Sequence, residues 1–393
     1  MIARKNADLN IVHMNVFLFM CKAILMKILW FTWKDLKNPL AGGAEVVNEE
    51  LCKRLANDGH EVIIVVAGFK DAKKEEIING YKVIRVGNRW NVYWCAYQYY
   101  KQYLRGWADL VIDEMNTMPF FCKYYVKEKN IMFVHQLCRI IWFYQLPWII
   151  AWIGYLAEII YLRLLNDRKV ITVSESTKKD LMRFGFKAEN INIISEGIIL
   201  EPVKDIESIV KYPKPTILAF GAIRPMKRTL HIIKAFELAK KELPKLELVV
   251  AGDANCAYGK KVLKYIHKSI YAESIKYFGK VDLLKKIELM QKAHLLCVTS
   301  VKEGWGLVVT EANSQGTPAV VYNVDGLRDS VAVSEVDLDC PDKNLKCLAK
   351  KIEWVLIAER KYRDIQKKSV QSSNSINFEN CFEQFSNIIW KAL

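Results

Sequence analysis
Glu303 and Glu311 stand eight positions apart, and Gly304 and Gly306 bracket Trp305 beside the first of them. An apolar run over residues 294–298 leads in, and a helix over residues 306–315 is expected to follow. A glycine-flanked turn at a helix N-terminus leaves backbone N–H groups bare, and a phosphate is held well there. At 1.5 Å per residue, Glu311 would lie roughly 12 Å beyond Glu303 if the segment were helical throughout. That reach suits a sugar at one end and a nucleotide ribose at the other. The plain alternative is an αβ unit that happens to carry two surface glutamates.

A second group is cationic. Gly221 closes the apolar run 216–221, and Arg224 and Lys227 follow in a loop that enters a helix. Positive side chains in that place suit a diphosphate, although a solvated Lys/Arg pair would have the same composition. Gly42 and Gly43, with Glu45 two residues on, sit between a first strand and a helix. Glycine there lets a phosphate or an acceptor approach the backbone closely. The spacing is not the G-x-G-x-x-G of a dinucleotide fingerprint, and an ordinary strand-to-helix turn reads the same way. His135 directly follows the apolar run 131–134, at a strand end where a ligand is met or where a histidine is simply structural. Ser174, in Val173-Ser174-Glu175-Ser176, reads as a helix N-cap.

The elements that must carry these residues alternate between short apolar runs and helical patterns, which is the rhythm of βα units and a parallel sheet. Strands are expected at residues 27–31, 61–67, 82–86, 109–113, 131–134 and 169–174, and a helix places Val47, Leu51 and Leu55 on one face before ending near Gly59. Residues 201–215 carry Pro202, Pro213, Pro215 and six charged residues, the composition of an interdomain linker. The rhythm then restarts, with strands at 216–221, 246–251, 274–278, 294–299 and 318–322 and helices near 228–243, 283–293 and 306–315. Two doubly wound domains are therefore expected, 26–200 and 216–375, with ligands at the carboxyl ends of the strands in the cleft between them.

Bulk properties narrow the partners. With 393 residues, 52% of them apolar, and a mean hydropathy of +0.03, the chain can build two domains of ordinary size. A net charge of +15 and a pI near 9.2 favour an anionic partner, but no run of Lys and Arg is dense enough for a basic arm. Ten cysteines include no C-x-x-C pair and no histidine at zinc spacing, which argues for a reducing cytoplasm without a zinc site or disulfide framework. Residues 1–25 read as an over-extended start, since Met26 directly precedes the first strand, or as an amphipathic anchor; no small-x-small cleavage site marks a signal peptide. Residues 140–165 hold only two charges, Glu158 and Arg163, and Pro147 breaks the run. Two readings fit: a core helix over 152–165, or a segment whose Trp142, Tyr144 and Trp148 dip into a membrane interface.

The Glu303–Glu311 stretch, down to the trailing Gly316-Thr317-Pro318, resembles the E-x7-E motif of family 4 (group 1) glycosyltransferases. The Gly42-Gly43-x-Glu45 turn, His135 and the Gly221–Lys227 loop are also similar to segments of that family. In the loop, Lys227 matches the family's lysine, Ala222 occupies its arginine position and Arg224 lies two residues on. The resemblance covers residues 26–393. It implies a GT-B fold, with an acceptor-binding first domain, a second domain that binds the nucleotide sugar, and a last helix, 376–393, that crosses back to the first; Phe378, Phe382 and Phe385, roughly on one face, fit that helix.

It further implies a retaining transfer of a hexose from a nucleotide-diphosphate sugar, of GDP-mannose or UDP-glucose type, to a glycan or lipid-linked acceptor. Glu303, His135 and Lys227 would be catalytic. Gly221, Arg224, Gly304, Trp305, Gly306, Leu307 and Glu311 would bind the donor, and Gly42 and Gly43 would face phosphate or acceptor. No cofactor, metal or nucleic acid is expected, since the one Asp-x-Asp spacing, Asp337 and Asp339, lies past the motif region. The protein is expected in the cytoplasm, with a peripheral contact at the inner face of the membrane. A GT-B sugar-nucleotide epimerase would lack the E-x7-E spacing. A non-catalytic membrane scaffold has no reason to keep the phosphate loop.

Overall fold
The computed structural model describes residues 25–392, so the N-terminal extension expected over residues 1–25 lies, but for Leu25, outside the described residues. The first sheet is built from β1 (Lys27–Phe31), β2 (Glu61–Ala67), β3 (Glu75–Ile78), β4 (Tyr81–Val86), β5 (Leu110–Met115), β6 (Lys129–Val134), β7 (Val170–Thr172) and β8 (Ile191–Ile193). Its order is β3-β4-β2-β1-β5-β6-β7-β8. β4, β2, β1, β5 and β6 pair in parallel, and β3 joins β4 as an antiparallel edge. β2 is a nearly continuous apolar run because a parallel sheet is covered on both faces, whereas β5 is equally buried but carries Asp113 and Glu114. The antiparallel edge was not expected. Its signal was Asn79-Gly80, whose φ angles of 45° and 89° make the tight turn that twists with a hairpin.

The second sheet holds β9 (Thr216–Phe220), β10 (Glu247–Ala251), β11 (Ile275–Tyr277), β12 (Leu295–Val298), β13 (Ala319–Tyr322) and β14 (Asp339–Cys340). All pairs are parallel, in the order β11-β10-β9-β12-β13-β14. Each sheet thus reverses direction once, beside β1 and beside β9, and in such sheets the ligand crevice opens at that switch point. Helices Thr229–Glu242 and Leu345–Leu356 pack on one face of the second sheet through Phe236, Leu348 and Ile352. Leu307–Ser314 and Leu283–Lys292 cover the other through Val309, Ala312 and Leu289.

The chain divides into two compact units. One comprises the described residues up to Val134, Arg168–Ile171 and the residues from Phe382 on; the other comprises His135–Asp167 and Thr172–Cys381. The expected boundary at 201–215 does not coincide with this division. That stretch has no helix or strand, yet it is fastened to the second unit. Val203 N–H donates to Ser314 at 2.8 Å, and Tyr212 N–H to Lys292 at 2.8 Å. Lys211 reaches the carbonyls of Ala293 and Gly316 and the Thr317 hydroxyl, each at 2.8 Å. Burial pushes the Lys211 ammonium down to about 7. In the first unit, Phe385 stacks on Trp30 at 5.6 Å, and both are fully buried. The last helix, Phe378–Ala392, buries Phe378, Cys381, Phe385 and Ile389, an i, i+3/i+4 stripe that leaves the expected Phe382 half out.

Glu196, just past β8, carries a prediction. Its side chain is buried, Oε2 has no hydrogen-bond partner among the described residues, and desolvation raises its carboxyl to about 8 from an ordinary 4.5. The unfolded chain releases this proton above 4.5 while the folded chain keeps it to about 8, so stability falls as pH rises across that window and levels off above it. Glu196→Gln should therefore match the parent's melting temperature at pH 4.5 and exceed it clearly at pH 8.5. Parallel pH–melting curves for the two proteins would refute this.

Candidate active site
Lys227 and Glu303 arrive at the second sheet's switch point from opposite sides. Gly221 directly follows β9 at φ 128°, with open space where a side chain would project, and the chain continues through Arg224 into a short turn, Pro225–Lys227. Arg228, at φ 51°, then starts the helix Thr229–Glu242. The turn is tied to the end of β12: Thr299 Oγ1 donates to the Lys227 carbonyl at 3.0 Å, and Val301 N–H to the Met226 carbonyl at 2.8 Å. The buried Arg228 guanidinium donates to the carbonyls of Thr299 and Ser300 at 2.7 and 2.6 Å and pairs with Asp342. These bonds bring the Lys227 ammonium onto the Glu303 carboxylate as an ion pair. Arg224 is exposed on the same loop.

The segment that begins at Glu303 is not helical throughout. Residues 303–306 form a turn, Gly306 takes φ 102°, and the helix runs only from Leu307 to Ser314. The reach estimated for a continuous helix therefore does not apply. Gly304 is required by proximity: a Cβ there would stand 2.7 Å from the His135 carbonyl oxygen. Trp305 folds back, donating from Nε1 to Thr310 Oγ1 at 2.9 Å, and Leu307 is half-buried at the helix start. Glu311, one face further along, is paired with Lys286 from the helix Leu283–Lys292. Burial raises the Glu311 carboxyl and the Lys286 ammonium opposes that rise. Lys286 also lies 5.6 Å over the Phe220 ring at the end of β9.

His135 lies at the end of β6, as expected, but its ring is enclosed rather than open, at 5% exposure. Desolvation lowers its imidazole to about 4, so it is neutral at pH 7. Its carbonyl touches Gly304 and accepts from Thr177 Oγ1 at 3.3 Å, so the backbone, at least, joins the two loops. Ser174 does cap the helix Glu175–Arg183, accepting from Thr177 N–H at 3.2 Å. In the first unit, Gly42 and Gly43 open the helix Gly43–Asn57 beside β1, and the Gly42 N–H already donates to Glu45 Oε2 at 2.6 Å.

Several residues of the site had no signal in the sequence. Lys302 is buried and bonded to Asp180 and to Asp325, the latter at 2.7 Å. Glu303 N–H donates to the Asp325 carbonyl at 3.1 Å, and Gly326 lies under the Glu303 carbonyl. Lys286, Lys302 and Asp325 find their partners across 23 to 122 positions of chain, which spacing rules do not reach. Only Asp325-Gly326 could have been read as a turn. An open groove of about 760 Å³ lined by Lys234, Lys241, Lys261, Lys264 and Lys268 contains none of these residues. Among the described residues no cluster of three or more His, Cys, Asp or Glu is placed to hold a metal ion.

Comparison with known proteins gives this arrangement its class. Residues 204–371 match the family model "Glycosyl transferases group 1" and residues 41–202 match "Glycosyltransferase Family 4". The chain belongs to the family 4, group 1 glycosyltransferases. Its two Rossmann-like parallel sheets are those of the GT-B fold.

Over 231 residues it is 24% identical to an uncharacterized glycosyltransferase of Haemophilus influenzae, which covers 58% of this chain and 63%, less than two thirds, of that relative. The N-acetyl-alpha-D-glucosaminyl L-malate synthase of Bacillus anthracis is 22% identical, with 90% of this chain and 95% of that protein covered. Among solved structures, sucrose-phosphate synthase of Thermosynechococcus elongatus has a TM-score of 0.76 at 18% identity, covering 93% of this chain and 98% of that one. HepE of Anabaena, in complex with UDP and glucose, has a TM-score of 0.68 at 16% identity, over 93% and 100% of the two chains.

Proposed function
We propose that the protein transfers a hexose from a nucleotide-diphosphate sugar to a glycan or lipid-linked acceptor, with retention at the anomeric carbon. The observation that carries this reading is the meeting of Lys227 and Glu303 at the second sheet's switch point, in a chain of the group 1 family. The second domain takes the donor. Lys227 and Arg224 receive the diphosphate, and the amides of Gly304, Trp305 and Gly306 add dipoles at the start of the helix Leu307–Ser314. Glu303 holds sugar hydroxyls and exchanges its Lys227 partner for them when the phosphate draws the ammonium away. Glu311 accepts from the ribose hydroxyls, Gly221 leaves room at the end of β9, and Leu307 packs against the donor. His135, neutral at pH 7, is assigned to the transferred sugar, and Gly42 and Gly43 to the acceptor side.

The transition state separates a sugar cation from a departing diphosphate, so fixed positive charge and backbone N–H groups provide the stabilisation. The departing phosphate oxygen takes the proton of the acceptor hydroxyl as that oxygen bonds to the anomeric carbon on the same face. Glu303 and Glu311 are thus not an acid and nucleophile pair of the glycosidase kind. The reaction proceeds without a metal or cofactor, in the cytoplasm, with the acceptor met at the inner face of a membrane.

The test is a screen of GDP- and UDP-sugars by calorimetry and by donor hydrolysis, with Glu311→Ala as a control. Loss of a charge-assisted bond worth about 1.5–3 kcal/mol should weaken the preferred donor at least tenfold, beside a modest fall in melting temperature from leaving Lys286 without its partner. Donor binding equal to the parent's would remove Glu311 from the site, and no binding of any nucleotide sugar would refute the transferase reading.

A further inference from the structure
The segment that the sequence left open between core and membrane forms the helix Trp148–Leu164, and it is not a core helix. Only Ala151, Glu158, Tyr161 and Leu162 are buried. Trp148, Trp152, Leu156, Ile160 and Leu164, spaced every four residues, form a continuous apolar stripe, and the exposure of each lies between 47% and 69%. Ile149, Ile150 and Ile153 widen that stripe at the N-terminal end. Trp142 and Tyr144, which the interfacial reading would insert, are instead held inward. Trp142 Nε1 donates to Glu158 at 3.0 Å and its ring lies against Gly154, while Tyr144 packs on Ile141, Met226 and Val301.

The helix is rigidly mounted. Its one buried carboxylate, Glu158, accepts from the N–H groups of Cys138 and Arg139, each at 2.7 Å, which fixes the turn that precedes the helix. The Arg139 guanidinium lies 4.0 Å over Tyr155 and 4.9 Å over Phe184. Those contacts set the end of the helix Glu175–Arg183 alongside. Arg163, Lys169, Lys179, Arg183 and Lys187 are exposed in this stretch, Arg183 being paired with Asp180, as are Asp167, Glu175 and Glu189, and the chain as a whole carries +15.

We propose that this stripe is a docking surface for an anionic lipid bilayer, with the helix lying in the interface. Three features favour lipid over a second copy of the chain. The apolar face takes in consecutive residues 148–150 and 152–153, an arc wider than the narrow seam that two packed helices share. Two tryptophans stand at one end of the stripe, where rings with a polar edge suit the headgroup layer. The basic residues beside it complement anionic headgroups. No helix among the described residues is long and apolar enough to cross a membrane, so the contact is peripheral.

The proposal deepens the membrane-side acceptor reading, but its test needs no donor. Sedimentation of the full chain with phosphatidylcholine vesicles containing 30% phosphatidylglycerol, roughly the charge density of an anionic leaflet, should show binding that falls in high salt and is much weaker with pure phosphatidylcholine. Trp148→Ser with Ile153→Glu and Leu156→Glu should lower that binding at least tenfold. Both the melting temperature and nucleotide-sugar binding should stay at parental values, because all three side chains face outward. Equal binding by the variant would overturn the proposal. So would a dimer in vesicle-free solution that this variant dissociates, or a loss of binding on removal of residues 1–24 alone.

Discussion

Lys227→Ala should reduce transfer by roughly a hundredfold or more, and transfer by the parent protein should survive EDTA. Lys227 sits in the turn Pro225–Lys227, two residues ahead of the helix Thr229–Glu242 rather than in its first turn. Bonds from Thr299 and Val301 set the backbone of that turn, and the ammonium rests on Glu303 until the donor's diphosphate draws it across, where it stays through the reaction. A fixed cation needs no reorganisation when charge builds on the leaving phosphate, and loss of one such group costs a few kcal/mol of barrier, each 1.36 kcal/mol being about tenfold in rate. Because the same ammonium pairs with Glu303, the substitution also strips that carboxylate of its partner. Glu303→Gln separates the two effects: it keeps Lys227 and should weaken sugar selection more than diphosphate binding. Arg224→Ala is the companion measurement, since Ala222 leaves the family's arginine position empty and Arg224 is exposed on the same loop. A large loss there assigns Arg224 the missing task; a mild one leaves Lys227 and the backbone amides to act alone. Activity that vanishes in EDTA and returns with magnesium would sink the metal-free reading.

Gly326→Ala should both destabilise the protein and disable donor binding. A Cβ on Gly326 would lie 2.3 Å from the Glu303 carbonyl oxygen and 2.9 Å from the Gly304 carbonyl carbon, and the residue's φ of 78° with ψ of −49° is one that alanine avoids. Backbone strain of this kind costs about 1–3 kcal/mol. Overpacking against rigid main chain adds about as much again. Relief can come only by moving the 303–306 turn, which is otherwise fixed by Glu303 N–H on Asp325 and by Lys302 between Asp180 and Asp325. Thermal melting and donor calorimetry should therefore fail together. A variant with parental melting and parental donor affinity would show that the turn is not seated on Gly326.

The periodicity and composition of the chain determine most of the fold, because a strand covered on both faces must be apolar throughout and its βα partner must repeat at helical spacing. β1, β2, β9, β10 and β13 are legible for that reason, as are the glycine-flanked turn before the helix Leu307–Ser314 and the cationic loop that carries Lys227. β14 and β8 are not, since two or three residues carry no period, and β3 mixes glutamates with isoleucines at a sheet edge. The face of the last helix shows the same limit: the aromatic residues point to Phe378, Phe382 and Phe385, while packing keeps Phe378 and Phe385 and takes Cys381 and Ile389 in place of Phe382.

What the sequence left open was decided by contacts between distant segments. Linear order places Glu303 and Glu311 eight positions apart but does not reveal that one pairs with Lys227 and the other with Lys286. It marks His135 by its strand end, whereas its titration depends on the side chains that enclose it. It shows residues 140–165 as apolar, and only the anchoring of Glu158 by Cys138, Arg139 and Trp142 determines which face of that helix is left to the solvent. Hydrophobic pattern is a property of neighbours along the chain, so it survives in the sequence. Charge pairing and desolvation are set by whatever lies within a few ångströms in space, and those distances exist only once the chain has folded.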